Sequence, residues 1–98
     1  MPDSRPSIVL EVRDAVAAIE PGTVVSYGDL GRRLGIGPRQ VGRAMGLLDA
    51  GVPWWRVVRA DGTPASCHGG QAPVLLAREG VPMKGRRVDM RRAHRPAE

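Results

Sequence analysis

The sequence predicts a mainly helical domain built on a helix-turn-helix with a short β wing. Three observations carry that expectation: apolar residues at helical spacing near the N-terminus, two further helical stretches separated only by Gly35-Ile36-Gly37, and a valine pair followed by an Asp-Gly turn. A chain of 98 residues supports one modest core, so residues 1–98 are read as a single domain with one site and with flexible ends at 1–6 and 91–98.

The elements follow in order. Ile8, Val12, Val16 and Ile19 recur at steps of four, four and three, which predicts a helix over Ser7–Ile19, stopped by Pro21-Gly22. Thr23-Val24-Val25 is a short strand or an extended link. Ser26 stands three residues before Asp29, a variant of the capping-box spacing, and opens a second helix over Tyr27–Leu34. After the Gly-Ile-Gly turn, Pro38 sits where a first helical residue needs no N–H, and the third helix runs to Leu48.

On that third helix Val41, Ala44, Met45 and Leu48 form one stripe, whereas Arg39, Gly42, Arg43 and Gly46 lie opposite. Each interior glycine costs about 1 kcal/mol relative to alanine, so two on an exposed face imply the close approach of another backbone, either the chain's own next segment or DNA. Arg56–Arg59 reads as an alternating strand closed by the turn Ala60-Asp61-Gly62-Thr63. Gln71–Glu79 is a short helix with Pro73 in its first turn, ended by Gly80-Val81-Pro82, and Val88 and Met90 add a strand.

The formal charge is +5, of which the last fifteen residues carry +4. That excess suits a polyanion, although a basic terminus is equally what a solvated tail looks like. Fourteen of the fifteen basic residues are arginine, which fits phosphate recognition but is read first as genomic codon bias. No apolar run of eighteen residues spans a membrane, the N-terminus lacks a signal pattern, and Cys67 alone builds no disulfide framework, which together suit a cytoplasmic protein.

The aromatic residues are Tyr27, Trp54 and Trp55. The segment Val52-Pro53-Trp54-Trp55-Arg56-Val57-Val58 resembles the Pro-Cys-His-Arg-Val motif of the O6-alkylguanine-DNA alkyltransferases, and more closely the form found in alkyltransferase-like proteins, in which tryptophan replaces the nucleophilic cysteine. The match is collinear: Val24-Val25-Ser26-Tyr27-Gly28-Asp29-Leu30 is similar to the family's Val-Ser-Tyr segment, Arg39-Gln40-Val41-Gly42-Arg43-Ala44-Met45 to its recognition helix, and Ala77-Arg78-Glu79-Gly80 to a downstream segment. It covers roughly Ser7 to Gly80.

The resemblance implies that the third helix enters the minor groove of double-stranded DNA containing O6-alkylguanine and that the lesion nucleotide is rotated into a protein pocket. Arg39 matches the arginine that fills the vacated stack, with Gln40, Gly42 and Arg43 beside it on the DNA-binding helix. Tyr27 matches the tyrosine that packs on the phosphate and helps turn the nucleotide; its plain alternative is a core aromatic. Trp54, at the cysteine position, is implied as a pocket wall, and Trp55 stands where the family has its proton-relaying histidine. Val57 contributes backbone acceptors, and His68-Gly69-Gly70 falls where the family has Ser-Gly-Gly, placing His68 near the lesion oxygen. Pro53, Arg56 and Glu79 support the motif loop.

An indole neither attacks an alkyl carbon nor accepts a proton, so no catalytic residue, cofactor or metal is expected. The protein is expected to bind as a monomer and flag the lesion for nucleotide excision repair proteins. Two alternatives remain: a sequence-reading winged-helix transcription regulator, which leaves the adjacent tryptophans unexplained, and an active alkyltransferase using Cys67, which lies outside the motif, about thirteen residues after its cysteine position, and lacks an evident base.

Overall fold

A computed structural model describes residues 7–49 and 51–93. In chain order the elements are α1 (Ile8–Ala17), β1 (Val25–Ser26), α2 (Tyr27–Leu34), α3 (Pro38–Met45), a 3-10 turn (Trp54–Arg56), β2 (Val57–Val58), a second 3-10 turn (His68–Gly70), α4 (Ala72–Arg78), β3 (Met83–Lys84), β4 (Arg87–Val88) and α5 (Met90–Ala93). The architecture is mainly helical with two small sheets, and α2 and α3 form the helix-turn-helix. None of the described helices is long and apolar enough to cross a membrane.

The α1 stripe behaves as its spacing requires: Val12 and Val16 are fully buried, Ile19 nearly so, and Ile8 packs at the edge of the core. Helix α2 starts at the expected residue because the Ser26 hydroxyl accepts the Asp29 N–H at 3.0 Å, satisfying one of the donors left open at a helix start. It stops at Gly35, whose φ of +73° favours glycine, and the amides of Gly35 and Ile36 both return to the Gly31 carbonyl.

The turn is also tight at Gly31, where a Cβ would lie 2.6 Å from the Ile36 carbonyl oxygen. Gly31→Ala is therefore expected to destabilise by about 1–3 kcal/mol, despite alanine's better helix propensity, because the α2–α3 turn must open. Urea unfolding measures this; a variant as stable as the parent contradicts the close approach.

Helix α3 ends at Met45, three residues before the expected boundary. From Gly46 onward the backbone tightens, with the Leu47 amide bonded to the Ala44 carbonyl and Leu48 to Met45. Leu48 nevertheless remains buried with Val41, Ala44 and Met45, and Arg39, Gly42, Arg43 and Gly46 are exposed opposite them.

The expected Arg56–Arg59 strand is a different object. Arg56 belongs to the 3-10 turn, and Val57 and Val58 pair in parallel with Val25 and Ser26. Both valines are fully buried, because β2 is covered on both faces, so no in-out alternation exists. The wing reduces to the Arg59–Thr63 turn, closed by the Arg59 amide on the Thr63 carbonyl at 2.9 Å and by a Val58–Pro64 bridge.

Further corrections concern the C-terminal part. Val88 does form a strand, but its partner is Met83–Lys84 in an antiparallel hairpin, and Met90 begins α5 instead of extending it. Residues 91–93, expected to be flexible, belong to that helical turn: the Asp89 carbonyl accepts the Arg92 and Ala93 amides, and Met90 and Ala93 pack on the core. The expected fraying at 1–6 and 94–98 lies outside the described residues.

Candidate nucleic-acid interface

Beside α3 opens a cavity of about 560 Å³ lined by Tyr27, Gly28, Pro38, Arg39, Gly42, Arg59, Ala60, Ala65, Ser66 and Cys67. Its construction follows from the elements. The Ser26 cap sets Tyr27 at the first residue of α2, the Gly-Ile-Gly turn swings Pro38 and Arg39 opposite it, and the Arg59–Thr63 turn closes the third side. Most of the lining is small, which is why the space exists.

Gly42 decides between the two explanations for the helix glycines. Nothing lies within 4 Å of the position a Cβ would take, so no segment of the chain packs there among the described residues. The open glycine faces the cavity instead, next to Arg39, and leaves α3 room for a foreign backbone.

Tyr27 is half-buried at the cavity wall. Burial, then the neighbouring Cys67, push its phenol above the ordinary tyrosine range, and Arg59 partly offsets them, so the hydroxyl keeps its proton and can donate. Burial likewise pushes the Cys67 thiol up, and no described side chain is hydrogen-bonded to it. Cys67 therefore lines the cavity as a thiol, the weak form of the nucleophile.

The other sequence-predicted residues fall outside this lining. Trp54 is 2% exposed; its indole meets Trp55 edge-on at 5.8 Å and is covered by the His68 imidazole, stacked at 4.5 Å and 16°. His68 has an unusual backbone, φ +56°, and its Nε2–H donates to the Leu48 carbonyl at 2.6 Å, leaving Nδ1 buried without a partner among the described residues. Val57 lies in β2 and is fully buried. Gln40 accepts the Gly37 amide at 2.9 Å, capping its own helix, and together with Arg43 lines a separate cleft against Ile8 and Val9 of α1.

Beneath the motif loop Arg56 and Glu79 form a fork-to-fork pair. Arg56 Nε donates to both carboxylate oxygens at 3.0 and 3.2 Å, a terminal nitrogen donates at 2.5 Å, and the other terminal nitrogen reaches the Ile19 carbonyl at 2.7 Å. Glu79 also accepts the Gly22 amide at 3.2 Å, so this one pair ties α4, the α1–β1 link and the Trp54–Arg56 turn. Arg56 holds the Glu79 carboxyl below the ordinary range, burial opposing and the Gly22 amide assisting. The Arg56 guanidinium also lies 5.4 Å from the Trp55 ring. The Trp55 N–H is close enough to Glu79 to lower its pKa slightly, yet falls outside good hydrogen-bond geometry.

Sequence reasoning placed Tyr27, Arg39 and Gly42 together but missed Arg59, Ser66 and Cys67 as cavity lining. The family alignment held the available signal: counting without gaps to His68 also carries Ser66 and Cys67 to the same loop.

Residues 8–81 match the family model described as 6-O-methylguanine DNA methyltransferase, DNA binding domain. Alkyltransferase-like protein 1 of Schizosaccharomyces pombe is 44% identical over 57 residues, covering 54% of this chain and 53% of that protein. A DNA base-flipping protein of Thermus thermophilus is 45% identical over 58 residues, 54% of this chain and 37% of that protein. The chain thus aligns with about half or less of the length of these relatives. Among solved structures, S. pombe Atl1 in complex with damaged DNA containing O6-carboxymethylguanine superposes with a TM-score of 0.80 at 27% identity, covering 97% of this chain and all of that one. The chain belongs to the family of the 6-O-methylguanine DNA methyltransferase DNA-binding domain.

Proposed function

We propose that this protein binds O6-alkylguanine in double-stranded DNA, draws the nucleotide out of the stack into the cavity beside α3, and performs no chemistry on it. The observation that carries the reading is the cavity itself: about 560 Å³, walled by Tyr27 and by the exposed Arg39 and Gly42 of α3. Arg39 is placed to fill the gap the base leaves, and the Tyr27 hydroxyl to donate to a phosphate oxygen. The likeness to Atl1, whose structure holds damaged DNA, and to a base-flipping protein points the same way.

Trp54 takes part only if His68 moves. The imidazole covers the indole face that an alkyl group would meet, and it does so with left-handed backbone and a buried unpaired Nδ1. Both features cost energy, so the Cys67–Gly70 segment is the part of the site most easily displaced by an entering base.

The alkyltransferase alternative gains one point, since Cys67 lines the cavity. It loses more: the thiol is pushed up by burial, and no described side chain is hydrogen-bonded to it to take its proton. Mass spectrometry after incubation with alkylated DNA is expected to show no added alkyl group; an adduct on Cys67 establishes the enzymatic reading. Without chemistry, removal of the lesion falls to another system, and nucleotide excision repair is the partner we assign, with the protein acting as a monomer in the cytoplasm.

The deciding measurement compares duplexes with and without one O6-methylguanine. Tighter binding to the lesion is expected, with a change in tryptophan emission as His68 leaves Trp54. Equal affinity refutes lesion recognition and returns the domain to general or sequence-dependent DNA binding.

A further inference from the structure

We propose that the β3–β4 hairpin is a second DNA-binding arm, with Arg86 and Arg87 holding the phosphate backbone of DNA bound against α3. The proposal rests on DNA being the partner and not on lesion recognition.

A second cleft of about 290 Å³ lies against Thr63, Pro64, Gly70, Arg86 and Arg87, and shares Ala65 and Ser66 with the main cavity. The two are therefore neighbouring depressions on one surface, separated by the Ala65-Ser66 backbone. Arg59 stands at the edge of the first and Arg86 and Arg87 at the edge of the second. Asp61 belongs to the same turn as Arg59: its carboxyl accepts the Thr63 amide at 2.9 Å, and its pKa is lowered first by the Thr63 hydrogen bonds and then by the charges of Arg87 and Arg59.

The hairpin is held in place. Met83 pairs with Val88 and Lys84 with Arg87, the Val88 amide donates to the Gly62 carbonyl at 2.9 Å, and the Asp89 amide to Pro82 at 2.8 Å. Val88 is buried in the core. The strand that presents Arg87 is thus fixed to the turn that presents Arg59.

Charge selects the occupant. Lys84, Arg86, Arg87 and Arg59 are exposed, and none makes an ion pair or side-chain hydrogen bond among the described residues; Asp61 is the acidic group set among them. Exposed guanidinium groups at both depressions, beside a helix that carries Arg39 and Arg43, suit phosphodiester oxygens, which accept two N–H bonds from one guanidinium. Such contacts fix register without reading sequence.

The test uses the full chain with Arg86→Gln and Arg87→Gln together, which remove charge but keep long polar side chains. Binding to lesion-free and O6-methylguanine duplexes is followed across a salt series. Each lost phosphate contact lowers the slope of log K against log salt by about 0.9, so the double variant is expected to lose about 1.8 on both duplexes with an unchanged lesion preference. A control at Arg13→Gln with Arg78→Gln, which line neither depression, is expected to keep the slope. An unchanged slope in a hairpin variant that melts like the parent overturns the proposal, as does an equal drop in the control. If the parent shows no lesion preference, the lesion reading fails, and the lesion-free slopes still decide the hairpin.

Discussion

Trp54→Ala is expected to lower the stability of the domain by about 3–5 kcal/mol, the range for removing a large buried aromatic side chain. The indole is 2% exposed and loses both its edge-to-face contact with Trp55 and its stack with His68, each worth about 0.5–1.5 kcal/mol beyond burial. Against a typical total of about 5–15 kcal/mol, that loss is a large fraction. Urea unfolding checks it, and a loss below about 1 kcal/mol contradicts the packing described. The consequence reaches function: alanine at this position confounds folding with recognition, so Trp54→Phe, which keeps a flat apolar ring, is the variant that tests lesion selectivity. It is expected to stay folded and to bind the lesion with reduced preference.

Arg56→Met is expected to cost about 3 kcal/mol, near the lower end for breaking a buried pair. The two side chains are 11% and 15% exposed, and the substitution strands Glu79 while leaving the Ile19 carbonyl without its donor. Acid titration supplies an independent check. Glu79 is held below the ordinary carboxylate range by Arg56, so the pair's stabilisation is complete above the unfolded carboxylate pKa and is lost as pH falls through the lower folded value. The parent is expected to lose stability across that acid window, and Arg56→Met to lose less. Parallel acid limbs in the two proteins contradict the assignment.

Both results bear on what Glu79 does in this chain. Its contacts run to Arg56 and to the Gly22 amide, and both are structural. The motif loop needs that anchor whether or not it carries a nucleophile, so the carboxylate has a physical reason to be there without a proton to relay.

Much of the helical frame was legible because it depends on short-range rules. The α1 spacing, the Ser26 cap, the Gly35 stop and Pro38 at the start of α3 each act within one turn of backbone, and α2 begins and ends where those residues require. Elsewhere residue spacing alone did not specify which backbone groups pair. Val57-Val58 carries nothing that announces a parallel partner at Val25-Ser26, and the Met83–Val88 hairpin became visible only with its pairing. Gly46 was expected to continue the helix, but the backbone there tightens instead.

By itself, the sequence determined that α3 presents Arg39 and Gly42 on an exposed face and that two tryptophans follow Pro53. Helical periodicity is local and residue identity is covalent, so neither needed coordinates. Tertiary structure alone decided that Cys67 and Arg59 line the cavity, that Trp54 lies buried beneath His68, and that the hairpin arginines border the same surface. Those placements come from contacts across fourteen or more residues of chain, whose closure depends on how the whole core packs.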